Sequence, residues 1–266
     1  MMRVIKNSFW FLPLVFLSCK KVIDLNLQES EKKYVVEGVI TNEPGICKVH
    51  LTQTNGFDED NIFPGVSGAV VKVKDNGVEF SLTETQAGTY QTSSINGTPG
   101  HIYELLVSVA GQVFTATCTM PQPVLMDTLY ISRGPFGQFK FATVGYTDPA
   151  GINNGYRFVQ YVNGLKDPTI FWEDDEFTDG QHLVNLLDTG VDKKDDPHNI
   201  NSGDAVTLEM LCLDEAVLRY WYTLQFSGGD GSSNSAAPSN PLTNIKGGAL
   251  GYFSAHTVDR RTVIAP

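Results

Sequence analysis

Between residues 34 and 120 the chain alternates apolar and polar side chains in short runs separated by turn residues. A period of two is the mark of a strand with one face buried. The runs predict strands over 34–40, 48–54, 69–74, 78–84, 89–92, 103–110 and 112–120, a spacing that points to a β-sandwich. Alternation also assigns faces. Ala69, Val71 and Val73 point one way with Val70, Lys72 and Lys74 the other, and Tyr103, Leu105, Val107 and Val109 form a second inward row. Asp75-Asn76-Gly77 supplies residues that accept the positive φ of a tight hairpin, and Ala110-Gly111-Gln112 reads as a second hairpin.

Pro121-Gln122-Pro123 then interrupts ladder pairing, because proline has no N–H to donate, and marks the expected boundary between a first domain over 34–121 and a second over 122–266. In the second, strands are expected over 125–132, 138–146, 156–162, 169–172, 182–187 and 205–213. One helix is expected near 214–226: Asp214 can cap it, Glu215 complements its positive end, and Val217, Tyr220, Trp221 and Leu224 recur at helical spacing. Gly228 and Gly229 should end it. A long loop rich in Gly, Ser, Asn and Pro runs on to Asn244, followed by an apolar strand over 248–255.

The N-terminus has a different pattern. Arg3 and Lys6 precede an unbroken apolar run over 9–17, after which come Ser18 and Cys19, the order of a secretory signal. At 1.5 Å per residue the run covers about half of a ~30 Å hydrocarbon core, and Pro13 interrupts it, so it does not read as a membrane span. Ser18 directly before Cys19, preceded by Leu17, resembles a bacterial lipobox, with Phe16 departing from the usual leucine. The resemblance implies cleavage after Ser18 and diacylglycerol on the Cys19 thiol, with a further acyl chain on its amine. The alternative is ordinary signal cleavage with an incidental cysteine. Residues 19–33 read as a tether of roughly 45 Å if fully extended; the alternation in Val22, Ile23, Leu25 and Leu27 allows an added edge strand instead.

The formal charge is −11, and loss of residues 1–18 removes two cations and no anions, giving −13. Such acidity argues against nucleic acid as a partner. If Cys19 is lipidated, Cys47, Cys118 and Cys212 remain, an odd number that permits one internal disulfide; Cys47 and Cys118 are the candidate pair, set against the usual state of buried free thiols. Serine-nucleophile chemistry lacks its Gly-x-Ser-x-Gly elbow, and the histidines at 50, 101, 182, 198 and 256 are dispersed with no His-Glu-x-x-His helix. No enzyme is expected.

Two acidic runs contain candidate Ca²⁺ ligands, Asp58 and Asp60 in one and Asp174 and Asp175, with Asp179, in the other. Neither has EF-hand spacing, and runs of this kind are usually solvated. Beyond Ca²⁺ and the lipid on Cys19, no cofactor is expected. Trp172, Trp221 and Tyr252, with Tyr222 and Phe253, are candidates for an aromatic platform that would take a sugar or another flat ligand. Aromatics on a helix face and a closing strand more often belong to the core.

The string Asn240-Pro241-Leu242-Thr243-Asn244-Ile245-Lys246-Gly247-Gly248-Ala249-Leu250-Gly251-Tyr252-Phe253-Ser254-Ala255 resembles the signature of domain-of-unknown-function family 4249, lipoproteins of the Bacteroidota. Tyr34-Val35-Val36-Glu37-Gly38-Val39-Ile40-Thr41, Gly68-Ala69-Val70-Val71-Lys72-Val73 and Gly88-Thr89-Tyr90 are similar to the same family. The resemblance implies an outer-membrane lipoprotein, an accessory to a TonB-dependent nutrient transporter, with no established enzymatic activity. The first domain is also similar to transthyretin-like modules. The expected fold is therefore mainly β, an immunoglobulin-like or transthyretin-like sandwich followed by a β-rich domain with one helix. A structural or adhesive role in the cell envelope is the alternative function. Lys20 and Lys21 after Cys19 depart from the acidic residues that surface-export signals favour, which leaves the cell surface and the periplasmic face both open. Asp127-Thr128-Leu129 resembles an O-glycosylation motif of that phylum, although Thr128 also suits a plain strand.

Overall fold

The structure is a computed structural model, and it describes residues 31–56, 62–134, 139–151, 153–190, 196–227 and 239–266. Ser18, Cys19 and the expected tether up to residue 30 lie outside the described residues, as do Asp58, Asp60, Gly228 and Gly229. The described residues form one compact unit that is mainly β with a single helix.

The first seven strands follow the alternation closely: β1 (Tyr34–Thr41), β2 (Cys47–Gln53), β3 (Val70–Asp75), β4 (Val78–Gln86), β5 (Thr89–Thr92), β6 (Ile102–Val109) and β7 (Gln112–Thr119). Val71 and Val73 are buried while Val70 is exposed, and the row from Tyr103 to Val109 points inward as expected. Asn76 and Gly77 take φ of 44° and 88°, and Ala110 and Gly111 take 48° and 78°, so both hairpins turn where the sequence placed them. Strand β4 pairs with β3 along its first half and with β5 along its second, bending from one layer of the sandwich into the other.

The second half contains β8 (Met126–Arg133), β9 (Lys140–Thr147), β10 (Gly155–Val162), β11 (Leu165–Lys166), β12 (Phe171–Asp174), β13 (His182–Leu187), β14 (Ala205–Leu213), α1 (Glu215–Ser227) and β15 (Leu250–Ile264). β13, β9 and β8 form a three-stranded sheet. It closes on the face of β10 and β14 that carries Tyr156, Phe158, Leu208 and Met210, making one hydrophobic core. The opposite face of the same two strands presents Arg157, Val159, Leu211 and Leu213, and α1 packs there through Val217 and Leu218. Asp214 caps α1, its Oδ1 accepting the Ala216 N–H at 3.0 Å.

The expected strand over 248–255 is a fifteen-residue strand that starts later and runs to Ile264. Its first half lies parallel to β1, from Val35 opposite Leu250 to Thr41 opposite His256; its second half is antiparallel to β14. Pro121–Pro123 falls between β7 and β8, and β15 joins the strands on either side of it into one sheet path. The segment before β15 braces it. Asn244 donates through Nδ2 to Phe253 O at 2.7 Å and accepts the Phe253 N–H through Oδ1 at 2.9 Å, as a neighbouring strand would. Thr243 Oγ1 donates to Gly251 O at 2.6 Å. Gly251, at φ 94°, lies so close to β1 that a Cβ would meet Val36 O at 2.1 Å. The most distinctive C-terminal string thus builds the seam between β1 and β15.

Candidate functional site

β10 and β12 pair so that Arg157 lies opposite Trp172, while β1 and β15 pair so that Glu37 lies opposite Tyr252. Over this surface α1 lays Tyr220 and Trp221. The three aromatics expected to form a platform are therefore assembled around one face, and each is half-buried against the core. Trp221 and Tyr252 have ring centroids 5.1 Å apart, and Tyr220 is 4.8 Å from Tyr252. Trp172 meets Tyr222 edge-on at 4.8 Å, and its Nε1 donates to Gln225 Oε1 at 2.6 Å. Phe253, on the other side of β15, is wholly buried in the sandwich.

At the centre is a residue the sequence did not mark, Arg157. Its guanidinium carbon sits 3.5 Å from the Trp221 ring centroid. The residue is 9% exposed, and among the described residues it makes no ion pair and no side-chain hydrogen bond; its Nε is enclosed without a partner. Glu209 is near enough to act on it electrostatically, but Glu209 accepts Tyr161 OH at 3.3 Å and Arg260 Nε at 2.9 Å instead. Stacking on a desolvated tryptophan is worth about 2 kcal/mol. Enclosing an ion costs several kcal/mol, so stacking alone does not offset it. Burial accordingly pulls the Arg157 pKa down and pushes that of Tyr252 up, the latter first by burial and then by Glu37. Only an alternation broken by an arginine in the otherwise apolar-facing row Gly155, Val159 could have signalled it.

Beneath Arg157, on β15, Ser254 Oγ and His256 Nδ1 are 2.8 Å apart. Both residues are buried, and burial followed by Arg157 lowers the His256 pKa to about 4. The hydrogen bond ties the two side chains together within the interior of β15. Beside Glu37 the same sheet face continues into a groove of about 500 Å³ lined by Val35, Glu37, His50, Thr52, Thr54 and Phe63.

The acidic residues are rearranged relative to expectation. Asp175 does not act with Asp174; it gathers with Asp148 and Asp179, one carboxylate oxygen of each lying within 4.8 Å of the others. Asp174 instead accepts the Glu176 N–H at 3.3 Å, a local turn contact. The three carboxylates are met by donors of the protein itself. Asp148 accepts Tyr156 OH and the Gly180 N–H at 3.0 Å, Asp175 accepts the Asn154 N–H at 2.8 Å, and Asp179 accepts the Gly151 N–H at 2.7 Å. These residues could offer oxygens to Ca²⁺, but the arrangement equally fastens the loops around β10 and β12.

Cys47, Cys118 and Cys212 are all free and buried, so the pairing considered for Cys47 and Cys118 is not made. Cys118 is committed elsewhere, its Sγ accepting the Ala255 N–H at 3.1 Å and tying β7 to β15. Burial pushes the Cys47 and Cys118 thiols up to about 12. Thr128 is exposed on β8, next to a bulge in its pairing with β9.

A family model described as "Domain of unknown function (DUF4249)" matches residues 20–262. No curated protein matches the chain in sequence. Among solved structures, the selenomethionine-substituted chicken interferon gamma receptor alpha chain is similar over 68% of this chain and 88% of that chain, at 12% identity and a TM-score of 0.21.

Proposed function

The chain belongs to the DUF4249 family, and from that we propose that it is a lipoprotein of the bacterial outer membrane, of Bacteroidota type, serving as a non-catalytic binding or accessory module beside a TonB-dependent nutrient transporter. The observation that carries this reading is the order Arg3, Lys6, apolar run, Ser18, Cys19, ahead of an acidic β domain. One acyl chain holds a protein only marginally, whereas two or more hold it stably, so acylation at Cys19 suffices as an anchor without a basic patch. Among the described residues no helix is long and apolar enough to cross a membrane. The binding face in this reading is the aromatic surface around Arg157 together with the groove beside Glu37. Its features are those of recognition: rigid rings, a fixed charge and room for a small ligand. Purification of the tagged full chain from solubilised outer membranes tests the reading. The expected result is repeated recovery of one TonB-dependent transporter; recovery of the protein without any transporter counts against the accessory role.

A further inference from the structure

We propose that Arg157 is the anchoring residue of a binding site for the carboxylate group of an organic ligand, seated against Trp221 and Tyr252 and extending over Glu37 into the neighbouring groove. This rests on reading the aromatic face as the binding face. Three observations lead to it. First, Arg157 is nine-tenths buried, yet among the described residues no carboxylate pairs with it and no acceptor takes a hydrogen bond from its side chain. The nearby Glu209 is already engaged by Tyr161 and Arg260. Second, Trp221 covers one face of the guanidinium at 3.5 Å and fixes its plane. A guanidinium held by its face keeps its edge for in-plane hydrogen bonds, and a carboxylate matches that edge with two parallel N–H···O contacts. Nε is enclosed and unbonded. Third, the surroundings are apolar and aromatic, with Tyr220, Tyr252 and Trp172 around the cation, and the 500 Å³ groove lies across Glu37 from Tyr252.

Charge decides between oxyanions. Arg157 supplies one enclosed positive charge, with Lys166 of β11 in electrostatic range. Glu37 and Glu209 act on the same neighbourhood from the other side. A monoanionic carboxylate neutralises Arg157, whereas a phosphate dianion would leave excess negative charge beside two glutamates in a low-dielectric setting. The aromatic rings favour a carboxylate attached to an apolar or flat body.

The experiment is a thermal-shift and tryptophan-fluorescence titration of the detergent-solubilised full chain with sodium benzoate, sodium acetate and inorganic phosphate, each against chloride at equal ionic strength. Benzoate is expected to raise the melting midpoint saturably and to change the Trp emission, with acetate weaker and phosphate without effect. Arg157→Met is expected to weaken benzoate binding at least tenfold. If that variant does not fold, Arg157→Lys keeps the charge and the stem but loses the planar fork, and the same tenfold loss is expected. Absence of saturable benzoate binding by the wild type, unchanged affinity in the variant that folds, or phosphate binding as well as benzoate would each overturn the assignment. The titration does not depend on acylation of Cys19, so its failure leaves the membrane reading standing, and loss of the anchor leaves this site standing.

Discussion

Replacing His256 with Gln should remove most of one acid-sensitive component of stability. His256 is buried on β15, bonded to Ser254 and close to the Arg157 cation, and its pKa falls from 6.5 to about 4. Burial and the neighbouring positive charge both disfavour the imidazolium. Because the folded pKa lies below the unfolded one, the unfolded chain binds the proton first as pH falls. The contribution is therefore complete above about pH 6.5 and is lost as pH drops towards 4. Linkage over that window gives roughly 2 to 3 kcal/mol lost between pH 7.5 and pH 4.5. Urea unfolding of wild type and His256→Gln at pH 7.5, 6.0 and 4.5 measures it, because every other titrating group cancels in the difference. The stability gap between the two proteins should shrink by roughly 2 to 3 kcal/mol on acidification. A gap that stays constant with pH, or widens, would refute the assignment of a neutral, enclosed His256.

Other outcomes follow from the same packing. Gly251→Ala places a Cβ against Val36 O on a residue at φ 94°, and should cost at least about 3 kcal/mol in urea unfolding or prevent folding. Asn244→Ala removes both hydrogen bonds to Phe253 and should cost about 2 kcal/mol by thermal melting. Asp148→Asn turns an acceptor for the Gly180 N–H into an amide that cannot satisfy every donor there, and should cost about 2 kcal/mol by thermal melting in EDTA and in Ca²⁺ alike. A thiol-reactive chromophore should leave Cys47, Cys118 and Cys212 unmodified in the native protein and label all three in urea.

The strands of the first half were legible because each presents one face to a core and the other to water, so a period of two survives in the sequence. The hairpins at Asn76 and Ala110 were legible because positive φ restricts residue choice. Strand β15 was foreseen only over 248–255, since Thr257 to Ile264 is polar on one side and gains strand structure only by pairing with β14. Arg157 was invisible for a related reason: nothing local distinguishes an enclosed arginine from one that reaches solvent. What encloses it comes from Trp172, Trp221 and Tyr252, which are up to 95 positions away and share its surface only after the sheets have formed. Those three were recognisable as aromatics with contact area, while their common centre was not. Asp174 and Asp175 are neighbours in sequence, but Asp174 is exposed at the end of β12 while Asp175 is buried, and folding brings Asp148 and Asp179 to Asp175 instead.

In the proposed reading an acidic β domain is held at a bilayer by hydrocarbon chains on its mature N-terminus. Mass spectrometry of the N-terminal peptide from membrane-purified protein tests it most directly. The predicted peptide begins at Cys19, lacks residues 1–18, and carries diacylglycerol on the thiol with a further acyl chain on the amine. An unacylated Cys19, or a chain that retains residues 1–18, would contradict it.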